Sequence, residues 1–185
     1  MSQSSPPKEF LEALRSLRDI EIHPSLVVVE VPSPIRLAPW SAAVEIATME
    51  TEGDRPLGTA TLVVLYDPDQ KESWGGPLRL VGYSQVQIDA EQSTDPLLGE
   101  AIWNTVIDGL EASGAGFSRL VGTVTRELSE TFGGLQLMGS ALKAELRCSW
   151  SPSTKYIGEH LQGWADALRQ TCGIEPATVA AIGSI

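Results

Sequence analysis

The segment ALKAELRCSW, residues 141–150, alternates apolar and polar residues from its second position onward. Successive side chains of a β-strand point to opposite sides, so this alternation predicts a strand with one buried face and one face in water. A sheet that is wet on one face is typical of antiparallel folds. The buried face is predicted to consist of Leu142, Ala144, Leu146, Cys148 and Trp150.

Other segments predict the rest of this sheet. Residues 59–66 carry apolar side chains at both parities, which predicts a central strand that is covered on both faces. The run 26–29 is β-branched, and the prolines that follow it predict an edge strand and then an irregular loop. Further strands are predicted at 42–51, 78–89 and 118–128, with short connections that indicate antiparallel neighbours.

Three helices accompany these strands. The first begins near Pro6 and Pro7 and continues to about Arg18. The second follows Asp95, a predicted N-cap, and the third is predicted over 156–172. The resulting order, α-β-β-β-β-α-β-β-α, predicts an α+β fold in which a twisted antiparallel sheet of five to six strands carries helices mainly on one side.

Length and charge limit the classes of protein. The chain has 185 residues, and its 24 acidic and 13 basic residues give a net charge of -11. We expect a single domain over 1–185, with a flexible N-terminus at 1–5 and a C-terminal tail at 174–185. The charge argues against direct binding to nucleic acid or anionic membranes. The chain shows no signal peptide and no apolar run that could span a membrane, which predicts a cytoplasmic protein.

Groups that could perform catalysis are few. His23 and His160 are the only histidines, and each is interpreted as a structural residue. Cys148 and Cys172 have no metal-ligand spacing and are expected to be reduced thiols, with Cys148 in the core. No nucleophile elbow or phosphate-binding glycine loop is present. The sequence therefore predicts no catalytic residue, no metal and no cofactor.

Carboxylates offer an alternative site. Asp67 and Asp69 place oxygen ligands close together, yet the segment lacks the order of a calcium loop and is typical of a turn. Glu127 and Glu130, together with Arg126, could form a polar cluster near Gly133-Gly134. These residues leave open an enzyme or sensor that binds a metal ion or a small molecule.

Two tryptophans favour a binding role. Trp40 and Trp74 are both predicted to lie in loops rich in proline or glycine, where either a packed loop or an interaction anchor explains them. Arg36 and Arg79 lie nearby in the sequence and could add polar specificity.

Several short strings, taken in order, carry a family resemblance. They are RLAP at 36–39, YDPD at 66–69 with Trp74 downstream, DPLL at 95–98, GTVT at 122–125 and ETFGG at 130–134 leading to Ser149-Trp150. The chain is similar to the actinobacterial family catalogued as domain of unknown function 3000, from Pro7 to about Pro176. The resemblance implies no activity, cofactor or catalytic residue. Genes of this family often neighbour a gene for a ribonuclease D-like exonuclease, which implies a link to RNA metabolism. The element order also resembles type III secretion chaperones and YbjN-like proteins, which are dimeric binding modules.

Together these features predict a non-catalytic adaptor that binds a protein or peptide on the open sheet face and the tryptophan-bearing loops. A homodimer is expected from the chaperone-like order. The alternatives are the carboxylate-based enzyme or sensor and an accessory factor in RNA metabolism that acts through a protein partner.

Overall fold

One antiparallel sheet of six strands organises the molecule, in the order β1-β2-β5-β6-β8-β7. The structure is a computed structural model and describes residues 5–89, 91–134 and 141–176. A two-stranded hairpin, β3 with β4, extends the turn between β2 and β5. The strands are β1 (Leu26–Val31), β2 (Trp40–Thr48), β3 (Thr51–Glu52), β4 (Arg55–Pro56), β5 (Gly58–Tyr66), β6 (Leu78–Ile88), β7 (Phe117–Ser129) and β8 (Ala141–Pro152).

Of the described helices, three pack against one face of the sheet, and a short one lies in the connection between β5 and β6. They are α1 (Lys8–Ser16), α2 (Lys71–Trp74), α3 (Leu98–Ala112) and α4 (Gly158–Thr171). Apolar side chains of α1, α3 and α4 join those of the sheet in one buried cluster. Burial of this cluster stabilises the fold, since each fully buried aliphatic side chain contributes about 1.5–3 kcal/mol. The predicted α+β class and the order of the main elements are confirmed.

Burial along β6 and β8 shows how the sequence assigns the two faces. In β6 the burial alternates residue by residue from Leu78 to Ile88. In β8 the predicted inward residues Leu142, Leu146 and Trp150 are all buried. Because paired residues of neighbouring strands lie on the same face, the alternate positions form a second, open face.

The close crossing of α3 and α4 depends on two glycines. A Cβ atom built on Gly109 would lie 2.4 Å from the carbonyl oxygen of Gly163, and one built on Gly163 would lie 2.6 Å from that of Gly109. No side chain fits between the two backbones. This contact fixes the position of α3 beside α4.

One predicted detail is wrong. Asp95 was expected to be the N-cap of the second helix, but that helix begins at Leu98 with Leu97 as its N-cap. The Asp95 carboxylate instead accepts a hydrogen bond from the backbone N–H of Leu97 at 2.8 Å. The aspartate therefore stabilises the turn that precedes the helix.

The predicted edge position of β1 is correct. Its register pairs Leu26 with Thr48, and the N–H of Met49 donates to the carbonyl of Ser25 at 2.7 Å. Hydrogen-bonded and non-bonded pairs alternate in an antiparallel ladder, so alternate residues of β1 bond to β2. By this alternation, the N–H and C=O groups of Val28 and Glu30 point away from β2, toward the edge that no described strand pairs.

Candidate functional site

The open face of the sheet carries a polar network centred on Glu145 of β8. Gln85 of β6 donates an amide hydrogen bond to the Glu145 carboxylate at 2.9 Å. Lys143 and Arg147 each place a nitrogen 3.6 Å from the same carboxylate. The Arg147 guanidinium also lies 5.5 Å from the ring centroid of Tyr83, within the range of a cation–π contact. Five side chains from two neighbouring strands are thereby held in fixed positions.

The pKa values in this network reflect the hydrogen bonds. Partial burial would raise the pKa of Glu145, but hydrogen bonds from Gln85 and Tyr83 and the nearby cations outweigh it and lower the pKa. The pKa of Lys143 is raised, first by its hydrogen bond to Glu127 of β7. The network therefore keeps its charges at neutral pH and presents a charged, ordered surface.

The β1 end of the open face carries exposed valines, next to Glu45 of β2. Val27 and Val29 of β1 are 42% and 48% exposed. Next to them, a small second cluster of Ala43, Val63 and Leu65 is covered by neighbours that include Trp74. The open face thus divides into an apolar part at β1, a covered centre and a charged part at β6 and β8.

Arg119 holds the Trp74 loop in place over this face, and Arg79 in turn holds the backbone of Arg119. Arg119 of β7 donates hydrogen bonds to the carbonyls of Glu72 and Ser73. Arg79 of β6 donates to the hydroxyls of Ser149 at 2.7 Å and Ser151 at 2.9 Å. Arg79 also bonds the carbonyl oxygen of Arg119 at 3.0 Å.

This arrangement gives Arg79 a structural task. Burial, and then the charge of Arg119, lower the pKa of Arg79. The sequence predicted Trp74 and Arg79 as neighbours in a site, and the structure brings them to the same face. The sequence did not predict a role for Arg119. This residue lies between Ser118 and Val121, where the pairing of β7 with β8 shifts register, and its side chain reaches the Trp74 loop from there.

The other predicted tryptophan lies on the opposite side of the sheet. The predicted loop position of Trp40 is wrong, because Trp40 begins β2 and pairs with Tyr66 of β5. It packs against the helix-side core, with its ring edge-on to Tyr66 at 6.0 Å between centroids. It lines a surface groove with the loop at 33–39, which includes Arg36 at a φ of 76°. Trp40 and Arg36 therefore share a groove, but they do not form one site with Trp74 and Arg79.

The remaining predicted polar residues are separate from both places. Arg126 is exposed and donates to the carbonyl of Asp95 at 3.0 Å, so it fixes the turn before α3. Glu130 is exposed just beyond the end of β7. The two do not belong to the surface around Trp74.

The candidate catalytic and metal-binding groups serve the fold. His160 is buried and accepts a hydrogen bond from Trp150, and burial lowers its pKa to about 4. Burial raises the pKa of Cys148 and of Cys172 to about 12. The Asp67 carboxylate caps a short turn by accepting from the N–H of Asp69 at 2.9 Å. Across 5–89, 91–134 and 141–176, no group of three His, Cys, Asp or Glu residues could hold a metal ion.

A cavity on the helix side was not predicted from the sequence. It has a volume of about 220 Å³ and lies below the β1 edge, between α1 and the sheet. Its exposed members, Arg18 and Glu30, lie at the mouth, and the salt bridges within the described part of the chain include neither of them. The aliphatic walls are Leu14, Leu17, Val28, Ala42, Val44, Leu62, Val64 and Leu161.

Fold and surfaces define an α+β protein whose sheet is covered by helices on one face and open on the other. The family described as protein of unknown function (DUF3000) matches residues 6–180, and the chain belongs to this family. No curated protein and no solved structure matches the chain. The likeness to secretion chaperones therefore rests on element order alone. In the described part of the chain, no helix is long and apolar enough to cross a membrane.

Proposed function

We propose that the protein is a non-catalytic adaptor of the cytoplasm that binds another protein or a peptide on the open face of its sheet. The observation that supports this most is the unequal cover of the two faces. Helices α1, α3 and α4 pack on one side, whereas Val27 and Val29 are exposed on the other. Apolar side chains next to an ordered polar network are typical of a protein-binding surface.

Rigidity of the open face supports the same function. The Glu145 network fixes its side chains before any partner arrives, and Arg119, itself held by Arg79, does the same for the Trp74 loop. A surface that is already ordered loses less conformational entropy on binding. The net charge of -11 favours a basic protein as partner and disfavours direct contacts with RNA or anionic membranes.

A capture experiment tests the proposal. The tagged full-length chain, expressed at its native level in its own host, is expected to co-purify one stoichiometric protein that mass spectrometry identifies. Val29→Asp places a charge on the apolar part of the open face and is expected to abolish capture. Leu97→Asp makes the same kind of change at a residue that is 62% exposed before α3, and it should leave capture intact.

Two outcomes would contradict this function. One is the absence of any stoichiometric partner, and the other is capture that survives Val29→Asp. The native mass of the purified chain is measured in parallel, because a homodimer would identify the partner as a second copy.

A further inference from the structure

We infer that the β1 edge, together with the cavity below it, binds an extended peptide that adds a seventh strand to the sheet and inserts one large apolar side chain into the cavity. This rests on the proposed function and specifies the partner's chemistry. The peptide carries Leu or Phe as its anchor, with Lys or Arg two residues away on the same face.

The backbone of β1 is ready to pair with a further strand. The N–H and C=O groups of Val28 and Glu30 point outward, as the alternation set by the Met49 to Ser25 hydrogen bond requires. Strand addition uses such main-chain groups for affinity, while pockets that receive alternate side chains provide specificity. Both features are present at this edge.

The cavity has the size and chemistry of a pocket for one side chain. Small-molecule sites commonly enclose about 300–1,000 Å³, whereas this cavity encloses about 220 Å³. An aliphatic and aromatic cavity of about 150 Å³ already binds benzene, which has the ring of Phe. Its lining is almost entirely aliphatic, so a single apolar side chain is the best fit.

The position of the cavity links it to the edge strand. Val28 and Glu30 lie on the helix-side face of β1 and line the cavity, and they are also the residues whose backbone groups point outward. A strand paired with them would direct every second side chain toward the helix side. One of these side chains would meet the cavity mouth beside Val28, and a neighbour two residues away would meet Glu30.

Charge favours a basic segment at this place. Glu30 is exposed at the mouth, and the salt bridges of the described residues leave it outside any ion pair. Arg18 is the other exposed residue at the mouth. The net charge of -11 and the Glu30 carboxylate favour a cation opposite Glu30, two residues from the apolar anchor.

The probe for the test is the synthetic peptide Thr-Lys-Thr-Phe-Thr-Lys-Thr, added to the full-length isotope-labelled chain and followed by NMR. The amides of Val28 and Glu30 should exchange quickly with solvent in the free protein and become protected when the peptide binds. The same peptide with Ser in place of Phe should bind at least about tenfold more weakly, because its anchor cannot fill the cavity.

A change outside both surfaces provides the matched control. Val28→Phe fills the cavity from within and should weaken peptide binding by about tenfold or more. Leu97→Phe adds a ring at an exposed residue before α3 and should have little effect. Glu30→Pro removes an outward N–H, which an edge strand tolerates, and should also prevent binding. Glu30→Gln removes the carboxylate charge but keeps the backbone N–H, so it separates the effect of charge from that of strand pairing. Thermal unfolding shows whether each variant is folded.

Each result separates this inference from the proposed function. No binding at millimolar peptide, or equal binding by the wild-type chain and by Val28→Phe, overturns strand addition. If Val29→Asp abolishes capture of the cellular partner and Val28→Phe leaves it intact, strand addition is wrong and the open face remains the site. If the peptide binds as described but the chain captures no partner from its host, the proposed function fails alone. A homodimer that Glu30→Pro dissociates would assign the edge to a second copy and overturn the peptide.

Discussion

The indole of Trp150 donates a hydrogen bond to Nδ1 of His160 across 3.0 Å in the buried core. This contact makes Nδ1 an acceptor, so the neutral imidazole carries its proton on Nε2. The rings also stack, with 6.4 Å between their centroids. The pair joins β8 to α4 and keeps a titratable group in an environment that disfavours its charged form.

His160 is expected to make stability depend on pH. Burial lowers its pKa from 6.5 to about 4 in the folded protein, so the unfolded chain takes up a proton first as the pH falls. Its contribution is complete above pH 6.5 and is lost down to about pH 4, at no more than about 1.4 kcal/mol per pH unit. Urea unfolding across this range should show a shallower loss for His160→Gln than for the wild-type protein. Equal slopes would contradict the assignment.

Gly163→Ala is expected to destabilise the protein by about 1–3 kcal/mol, because the new methyl group would meet the backbone of Gly109. Gly99→Ala is the matched control on α3, where the nearest atom would be 4.0 Å away. It should be neutral or stabilise by up to about 1 kcal/mol, since alanine favours a helix more than glycine does. Thermal unfolding measures both, and a Gly163→Ala protein as stable as the wild type would exclude the close crossing.

Arg119→Ala is expected to release the Trp74 loop. The variant loses the hydrogen bonds to the carbonyls of Glu72 and Ser73, so trypsin should cleave after Lys71 faster than in the wild-type chain. The expected loss of stability is about 1–3 kcal/mol. Arg147→Ala removes an exposed arginine of β8 and should leave cleavage at Lys71 unchanged. Comparable cleavage in both variants would show that Arg119 does not hold the loop.

Both cysteines are expected to resist alkylation in the folded protein. Burial raises the pKa of Cys148 and of Cys172 to about 12, and thiolates rather than thiols react. Iodoacetamide at pH 8 should label the two thiols only after denaturant is added, as measured by mass spectrometry. Rapid labelling of Cys148 in the native protein would show that the core opens at β8.

Periodicity was sufficient to predict most of the fold. The alternation from Leu142 to Trp150 identified the two faces of β8, and the doubly apolar run at 59–66 correctly predicted an internal strand. These patterns are local, and burial follows them directly. The start of α3 was less predictable because Asp95 caps a turn as readily as a helix.

The candidate site was only partly predictable. Trp40 and Trp74 look alike in the sequence, but Trp40 has the inward parity of β2 and Trp74 is folded over the other face by Arg119. That contact joins residues far apart in the chain, so no local pattern reports it. The cavity beside Val28 depends on how α1 rests on the sheet, which a sequence pattern does not reveal.

The strand order also has a consequence for biosynthesis. Strands β1, β2, β5 and β6 form successive pairs, but the partner on the other side of β6 is β8, which ends at Pro152. At about 5–20 residues per second, the ribosome needs about 3–13 seconds to synthesise the chain from the end of β6 at Ile88 to the end of β8 at Pro152. During that interval β6 remains an uncovered apolar edge, so the nascent chain is most exposed to misassociation before β8 emerges.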